Sequence, residues 1–306
     1  MAGLRREEGA ISLTHGQVSR IPSAKIIGGK ARGLAILGRQ GVQIPEGFVL
    51  GTKYFHQWLE KSGDLQAVEA ILRDTTVSAQ EAATSIRERL GAAPVPGDTY
   101  RAIHGIISAM SGEKALSLAV RSSAAEEDGE WYSYAGIFRS CLDVTGEKAV
   151  IEAVLAVWMS ALEAPAIAYR RRFELPDSGS MAIVIQRMLR TEWAGTLFCR
   201  DPVTGNSGYV IECHQGSGES IVGGRLAVAQ IRVYPDGSPA AVHASSGVGW
   251  RAAEAVWFKA LLDTTKSVRN LLKSDNFEME WGIEDGKIHI LQVRPITTIL
   301  QKGMGQ

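Results

Sequence analysis

Cysteine is scarce in this 306-residue sequence. Cys141, Cys199 and Cys213 are odd in number and widely spaced, with no CxxC or other metal-ligand pattern. Such usage disfavours a disulfide scaffold and favours a reducing compartment, so we expect a cytoplasmic protein. Charged residues at positions 5–8 stand where a secretory signal would need an apolar core. We find no apolar run approaching the ~20 residues of a membrane span, and therefore expect no membrane partner.

The sequence also lacks an excess of either charge. Lys plus Arg and Asp plus Glu number 33 each, which gives nucleic-acid binding no overall electrostatic support. The six histidines are scattered and form neither an HExxH motif nor a Ser/Cys–His pattern, so metalloprotease and triad-hydrolase functions are disfavoured. The Walker A pattern GxxxxGK[ST] is absent as well.

The order of the expected elements indicates the fold class. Helical patterns dominate the first half, including long tracts over 52–90 and 147–173, and strand patterns dominate the second half. An α+β, two-lobe arrangement fits this order better than an alternating βαβ sheet. We place the boundary so that residues 1–190 form the first lobe and residues 191–306 the second.

The most informative stretch is 277–295, which predicts two short strands around a turn at Asp285-Gly286. Side chains alternate between two faces in both halves, as expected when one face of a sheet meets a core. Glu278 and Glu280 share one face of the first strand, and Gln292 and Arg294 share one face of the second. Whether these two polar faces coincide depends on the register of the hairpin.

Glycine at the third position of a loop is typical of a three-residue connection, so we predict the loop Glu284-Asp285-Gly286. This register pairs Glu278 with Gln292 and Glu280 with Ile290, whereas a two-residue loop would pair Glu280 with Leu291. The predicted face then combines hard oxygen ligands for Mg²⁺ with a forked cation for phosphate. The alternative is the solvated outer face of an ordinary hairpin.

Two basic residues stand in patterns that suit phosphate. Gly28-Gly29-Lys30 opens a helix, where backbone N–H groups and a mobile cation can meet an anion. Arg121 follows a predicted strand over 116–120, and an arginine there can grip a phosphate with two N–H groups. The alternatives are a glycine-rich turn with a surface lysine, and an ion pair of Arg121 with Glu126 or Asp128.

Two further stretches have both a functional and a structural interpretation. The apolar strand 181–189 could line an adenine slot, or it could be a buried core strand. The glycine-rich turn 216–220, with Glu219, could shape a phosphate or metal rim, or it could be a hairpin loop.

Taken together, these stretches resemble the N-terminal nucleotide-binding domain of the phosphoenolpyruvate synthase and pyruvate phosphate dikinase family. The matching segments follow the family's order and cover nearly the whole chain: GGKARGL…GVQIPEGFVL (28–50), AVRSSAAEED…YAGIF (119–138), IVIQRML…AGTLFCRDPVTG (183–205), GSGES (216–220) and MEWGI…ILQVRPIT (279–297). VRSSA and QVRP in one sequence, with EWG between them, are a specific combination.

The resemblance implies an ATP-grasp-like fold that binds ATP and Mg²⁺ between two lobes. The residues expected to act on the transferred phosphates are Lys30, Arg121 and Arg294. The expected metal ligands, which also contact the nucleotide, are Glu280 and Gln292. Further contacts to the nucleotide are expected from Gly136, Gln186, Met188 and Glu219.

The sequence departs from the family in two places. The phosphate-covering loop often has glutamines after its glycine, whereas Gly136 is followed here by Ile137-Phe138. Full-length relatives continue beyond the QVRPIT motif into a swivelling domain with a phosphorylated histidine and then a substrate domain. Neither follows in this sequence, so we expect the histidine on a separate subunit.

The resemblance therefore implies the ATP-binding subunit, or an excised domain, of a split dikinase-type phosphotransferase. Such an enzyme transfers the β-phosphate of ATP to a histidine, releases AMP and phosphate, and passes the phosphoryl group to a small acceptor. Phenylphosphate synthase, which activates phenol with separate subunits, is the relative whose organisation fits best. Two alternatives stay open: a non-catalytic ATP-binding regulator and a self-contained small-molecule kinase that makes ADP.

Overall fold

A computed structural model describes residues 10–13, 21–91, 93–110, 116–125, 127, 134, 136–175, 180–216, 229–243 and 256–296. The helices within this part of the chain are α1 (Ala24–Arg39), α2 (Thr52–Ser62), α3 (Leu65–Arg73), α4 (Ala79–Leu90), α5 (Gly97–Met110), α6 (Glu147–Ser160), α7 (Ala164–Arg172) and α8 (Val256–Leu272). The strands are β1 (Ala10–Ser12), β2 (Gly47–Leu50), β3 (Ser117–Ala124), β4 (Ser140–Thr145), β5 (Met181–Arg187), β6 (Trp193–Arg200), β7 (Ser207–Gln215), β8 (Ala229–Val233), β9 (Pro239–His243), β10 (Phe277–Glu284) and β11 (Lys287–Pro295).

The strands form two antiparallel sheets, which confirms the α+β class. The first sheet has the order β1-β2-β5-β3-β4, and the second has the order β11-β10-β6-β7-β8-β9. The boundary proposed at residue 190 falls between β5 and β6 and stays a prediction.

Strand alternation divides the apolar residues between two cores. One face of the first sheet, with Val120 and Ile185, packs against helices α2 to α7. The other face contributes Val184 to a second core, where α1 and α8 meet the second sheet. Helix α1 therefore lies between the two sheets and contacts both β3 and β11, which carry the residues singled out from sequence.

The long helical tract predicted over 52–90 is three helices, α2, α3 and α4. The first break lies at Gly63, whose φ of 80° is left-handed, as the Gly63-Asp64 turn signal predicts. The second break is fixed at Ser78, whose side chain accepts from the Glu81 N–H while the Glu81 side chain accepts from the Ser78 N–H. This reciprocal capping box starts a new helix, so the tract cannot run on unbroken.

The stretch Glu147–Arg172 is long and apolar enough to cross a membrane, judged by length and composition only. The expectation that no apolar run approaches a membrane span is therefore wrong for this stretch. In the structure it is two helices, α6 and α7, and 61% of its most apolar window is buried inside the protein. Val150, Val154 and Trp158 belong to the first core. Burial against the first sheet explains the hydropathy of this stretch.

The predicted register of the β10–β11 hairpin is wrong. The loop has two residues, Asp285 and Gly286, with φ of 51° and 67°, and Glu284 pairs with Lys287. Left-handed conformations at both positions are those of a type I′ turn, whose twist suits a two-residue hairpin.

A β-bulge then shifts the register beyond the turn. Trp281 pairs with Ile290 and Glu280 pairs with Gln292, so Leu291 is the extra residue on β11. Beyond the bulge, Glu278 pairs with Arg294. The four polar side chains therefore share a face as predicted, but through a bulge and not through loop length.

Helix α1 is interrupted at Gly28, where φ is 77° and ψ is 166°, a region that is essentially open to glycine alone. A Cβ on Gly28 would lie 1.9 Å from the Ser123 carbonyl oxygen, and one on Gly29 would lie 1.7 Å from the Glu127 carbonyl oxygen. The two glycines thus let α1 approach the end of β3 and the turn after it.

We expect Gly28→Ala to lower the free energy of unfolding by clearly more than Gly63→Ala, as measured by urea denaturation at 25 °C. Both changes place alanine at a positive φ, at a cost of about 1–3 kcal/mol. Nothing lies within 4 Å of a Cβ at Gly63, whereas Gly28→Ala adds an overlap with backbone that costs about 1–3 kcal/mol more. Equal losses in the two variants would contradict the proposed close-packing role of Gly28.

Candidate active site

A cleft of about 880 Å³ lies between the two sheets, with α1 at one end. Both sheets line it, and so do most of the residues that the sequence singled out: Lys30, Arg121, Gly136, Gln186, Met188, Glu280, Gln292 and Arg294. Of the predicted set, Glu219 lies outside the described residues, so its prediction is untested. The other eight are brought together around one cavity.

Arg121 joins the two sheets across this cleft. Its Nη2 donates to Glu280 Oε2 at 3.0 Å and to Gln292 Oε1 at 2.9 Å, and its Nη1 donates to the Leu291 carbonyl oxygen at 2.9 Å. The bulge supplies two of these three acceptors, because it turns Gln292 toward the cleft and presents the Leu291 carbonyl.

The position of Arg121 differs from the prediction in one respect. It lies within β3, which continues to Ala124, and not at the end of a strand. The alternative partners Glu126 and Asp128 lie outside the described residues. The ion pair that the structure shows is with Glu280, which is 159 residues away in the chain.

Lys30 is 5% exposed and its ammonium is held by three oxygen atoms. Its Nζ donates to Glu127 Oε1 at 2.9 Å, to the Ser122 carbonyl oxygen at 3.0 Å and to Ser122 Oγ at 3.4 Å. Glu127 is itself fixed, because its Oε2 accepts from the Ala124 N–H at 3.0 Å. The close approach of Gly28 and Gly29 to this turn is what brings Lys30 to the cleft wall.

Sequence reasoning missed Glu127 as a site residue. It considered Glu126 and Asp128 as partners of Arg121 and gave no acid to Lys30. A local signal was present, because an acid three residues after Ala124 can close a turn with its own N–H and its carboxylate, as Glu127 does here. The contact between Glu127 and Lys30, which are 97 residues apart in the chain, had no such signal in the sequence.

Glu278 and Glu280 of β10 have pKa values displaced in opposite directions. Burial raises the pKa of Glu278 above its ordinary value even though Arg294 Nε donates to its Oε1. Partial burial also works to raise the pKa of Glu280, but the positive charges of Arg121, Lys30 and Arg294 outweigh it, and the net shift is downward. Glu280 is therefore the better anionic ligand of the pair.

A fourth basic residue of the cleft ties the first sheet to the hairpin end. Arg187 donates to both carboxylate oxygens of Glu284, at 3.1 Å and 2.6 Å, and Glu284 also accepts from the Arg190 N–H at 2.7 Å. The Arg187 hydrogen bond lowers the pKa of Glu284. Each of the four basic side chains lining the described cleft is thus paired with a carboxylate.

The segment predicted to contact adenine lies beside a different part of β3 from Lys30, because Gln186 pairs with Ala119 whereas Lys30 contacts Ser122. Gln186 is 2% exposed and its Nε2 donates to the Pro45 carbonyl oxygen at 3.3 Å. The Met188 N–H donates to the Ser117 carbonyl oxygen at 2.9 Å, so a strand neighbour already uses it. Side chains in this part of the cleft are largely apolar and include Leu189 and Ala194, which suits an aromatic base.

Tyr134, Gly136 and Phe138 form a flank of the cleft. Gly136 has a φ of 73° and no atom lies within 4 Å of a Cβ placed there. The rings of Tyr134 and Phe138 stack at 4.8 Å between centroids, and Tyr134 also contacts Tyr169 at 4.5 Å. Tyr134 and Phe138 thus give this flank of the cleft an aromatic surface.

Neither a metal cluster nor a histidine marks the cleft within the part of the chain that the structure describes. No group of three His, Cys, Asp or Glu residues is arranged to hold a metal ion by itself. His214 and His289 are 0% and 5% exposed and do not line the cleft, and burial lowers the pKa of each.

Comparison with known proteins relates residues 24–249 to a family described as "Pyruvate phosphate dikinase, AMP/ATP-binding domain". A probable phosphoenolpyruvate synthase of Archaeoglobus fulgidus is 32% identical over 90% of this chain and 40% of its own length. A rifampicin phosphotransferase of Bacillus cereus is 28% identical over 90% of this chain and 34% of its own length. The prodigiosin synthesizing transferase PigC of Serratia marcescens is 29% identical over 89% of this chain and 32% of its own length. The chain thus spans about a third to two fifths of these relatives.

Among solved structures, an ADP complex of N5-carboxyaminoimidazole ribonucleotide synthetase matches with a TM-score of 0.30 and 12% identity, over 64% of this chain and 37% of the other. A score this low does not establish a shared fold.

We expect Glu278 to take up its proton at a higher pH than Glu280, as measured by carboxyl ¹³C NMR with Glu278→Gln and Glu280→Gln for assignment. The raised pKa means that Glu278 stabilises the folded state more as pH falls through its folded pKa. The lowered pKa means that the contribution of Glu280 is present above its unfolded pKa and is lost as pH falls through its folded pKa. A reversed order of protonation would contradict these assigned surroundings.

Proposed function

We propose, from the premise that this chain belongs to the pyruvate phosphate dikinase family of AMP/ATP-binding domains, that its cleft binds Mg-ATP and donates a phosphoryl group to a histidine. The chain is an ATP-binding part of a phosphotransferase. We further propose that the transferred group is the β-phosphate, with AMP and phosphate as products.

The observation that carries this proposal is the convergence of Glu280 Oε2 and Gln292 Oε1 on one cationic nitrogen of Arg121, at 3.0 and 2.9 Å. Two hard oxygen ligands from neighbouring strands therefore meet at one point of the cleft. Mg²⁺ is commonly held by one or two protein oxygens together with nucleotide phosphates and water.

The donor set therefore fits Mg²⁺, with Glu280 and Gln292 as its protein ligands. Their two oxygens are too few to enclose a cation alone, which agrees with the lack of a three-residue acidic cluster among the described residues. When bound, the metal would neutralise charge on the phosphate oxygens.

The basic residues around this point suit the phosphates. Lys30 comes from α1, Arg121 from β3 and Arg294 from β11, so the cations approach from three elements. Arginine stays charged and offers a planar fork that matches phosphate oxygens. Held in place before the reaction, these cations would offset charge that develops on the transferred group, and no nucleophile of this chain is required.

The apolar part of the cleft, with Gln186 and Met188, is the proposed adenine site. We also propose that the two sheets are the lobes of an ATP-grasp-like fold, with the nucleotide between residues 1–190 and 191–306. The arrangement of a cleft lined from both sheets supports this interpretation.

The acceptor histidine is proposed to lie on another subunit or another domain. This rests on the absence of any histidine from the cleft lining among the described residues. The final acceptor is proposed to be a small molecule such as phenol, and the site of action the cytoplasm. A non-catalytic regulator is less well supported, because all five residues of the phosphate and metal set are present and each contacts a charged residue: Lys30, Arg121, Glu280, Gln292 and Arg294.

We expect Arg294→Met to weaken binding of Mg-ATP about 10- to 100-fold by isothermal titration calorimetry, since a charge-assisted hydrogen bond contributes about 1.5–3 kcal/mol. Arg200→Met is the matched control. Arg200 also lies on the second sheet and pairs with an acid, Asp275, at 3.2 Å, but it does not line the cleft. Equal affinities of the two variants would contradict a phosphate contact for Arg294.

Product analysis separates the reaction types. We expect AMP and phosphate from Mg-ATP only when a histidine-bearing partner from the same source is added, and we expect their loss in Arg294→Ala. ADP formed by the chain alone would instead establish a self-contained kinase. Tight ATP binding without turnover in any pairing would establish a regulator.

A further inference from the structure

Arg121 occupies the point at which a metal ion would bind. The oxygens of Glu280 and Gln292 that suit Mg²⁺ are the same atoms that accept from Arg121 Nη2, at 3.0 and 2.9 Å. The third hydrogen bond, from Nη1 to the Leu291 carbonyl oxygen at 2.9 Å, fixes the guanidinium in that position. The Arg121 side chain is 14% exposed, so surrounding groups confine it.

A divalent cation and this guanidinium cannot share the two oxygens. Two positive charges a few ångströms apart repel strongly in a cleft that is partly shielded from water. Binding of a metal alone would therefore require Arg121 to give up its hydrogen bonds to Glu280 and Gln292, the first of which is also its ion pair, without a replacement. Phosphate oxygens would give Arg121 new anionic acceptors, so a metal that arrives with a nucleotide meets no such penalty.

We propose that Arg121 reserves the Glu280–Gln292 site for the metal–nucleotide complex and denies it to a free divalent cation. This inference rests on the proposed function, since it concerns the same pair of oxygens. It makes Arg121 a specificity-determining residue as well as a phosphate ligand. Metal and nucleotide then bind with positive coupling, because the nucleotide removes the cation that competes with the metal.

The bulge at Leu291 contributes to this proposed selectivity. Without it, Gln292 would turn away from Glu280, and the Leu291 carbonyl would not be offered to Arg121. One irregular residue therefore assembles the metal ligands and also the contacts that hold the competing cation on them.

The test is a titration of the full chain with Mn²⁺ alone, followed by the electron paramagnetic resonance of the free ion. Arg121→Met removes the competing charge while preserving the approximate length of the side chain, and we expect it to bind Mn²⁺ at least about tenfold more tightly than wild type. Arg121→Lys keeps a positive charge near Glu280 and is expected to stay within about threefold of wild type. The double variant Arg121→Met/Glu280→Gln is expected to lose this gain in Mn²⁺ affinity, because it also lacks the carboxylate ligand.

The proposal is overturned if Arg121→Met binds Mn²⁺ no better than wild type, or if Arg121→Lys gains as much Mn²⁺ affinity as Arg121→Met.

A second measurement, made on wild type alone, keeps the proposal testable if Arg121→Met does not fold. Mg²⁺ without nucleotide should leave the thermal midpoint unchanged, and Mg²⁺ with β,γ-imido-ATP should raise it beyond the effect of β,γ-imido-ATP alone. Stabilisation by Mg²⁺ alone would overturn the proposal, whereas failure of β,γ-imido-ATP to bind at all would contradict the proposed function instead.

Discussion

The contact of Arg121 with the β10–β11 hairpin is the interaction on which the architecture of the cleft depends. It joins the first sheet to the second through one side chain and three acceptors, of which one is a carboxylate, one an amide and one a backbone carbonyl. Charge-assisted hydrogen bonds of this kind are directional, so they fix the distance and the angle between the two sheets at this point. The bond from Arg187 to Glu284 repeats the connection at the other end of the hairpin. Both arginines line the cleft of about 880 Å³, a size suited to a nucleotide.

Buried charge in this cleft is balanced locally. The ammonium of Lys30 forms an ion pair with Glu127, and the guanidinium of Arg294 forms one with Glu278. Burying such groups is costly unless each charge is paired and hydrogen-bonded. The family to which the chain belongs handles a highly charged ligand, and a site built of paired charges can exchange partners when such a ligand arrives. The structure therefore explains how a cation-rich cleft is stable in the protein alone.

Sequence reasoning predicted the composition of the site better than its assembly. The hairpin predicted over 277–295 correctly placed four polar side chains on one face, those of Glu278, Glu280, Gln292 and Arg294. It gave the wrong loop, because period-two patterns cannot reveal a bulge whose extra residue, Leu291, is an ordinary apolar one. The class of fold followed from the order of helical and strand patterns, and the two sheets confirm it.

Other features could not be predicted because they arise from tertiary approach. The phosphate-binding turn at Gly28 and Gly29 stays a prediction, but the sequence did not show that these glycines let α1 touch the backbone of Ser123 and Glu127. The pairing of Lys30 with Glu127 joins residues 97 positions apart, and no local pattern records such a contact. The break of 52–90 into three helices is different, because its signals are local: Gly63 was recognised, whereas the capping box of Ser78 and Glu81 was missed. Roles assigned to Gln186, Met188 and Gly136 stay predictions, although all three line the cleft.

The most direct test of the account is a crystal structure of the chain with Mg²⁺ and β,γ-imido-ATP. The account predicts a metal ion about 2.0–2.1 Å from oxygens of Glu280 and Gln292, phosphates in contact with Lys30, Arg121 and Arg294, and the adenine near Met188. Arg121 Nη2 should have left Glu280 for a phosphate oxygen. A nucleotide bound outside the cleft, or a metal bound elsewhere while Arg121 stays on Glu280 and Gln292, would contradict it.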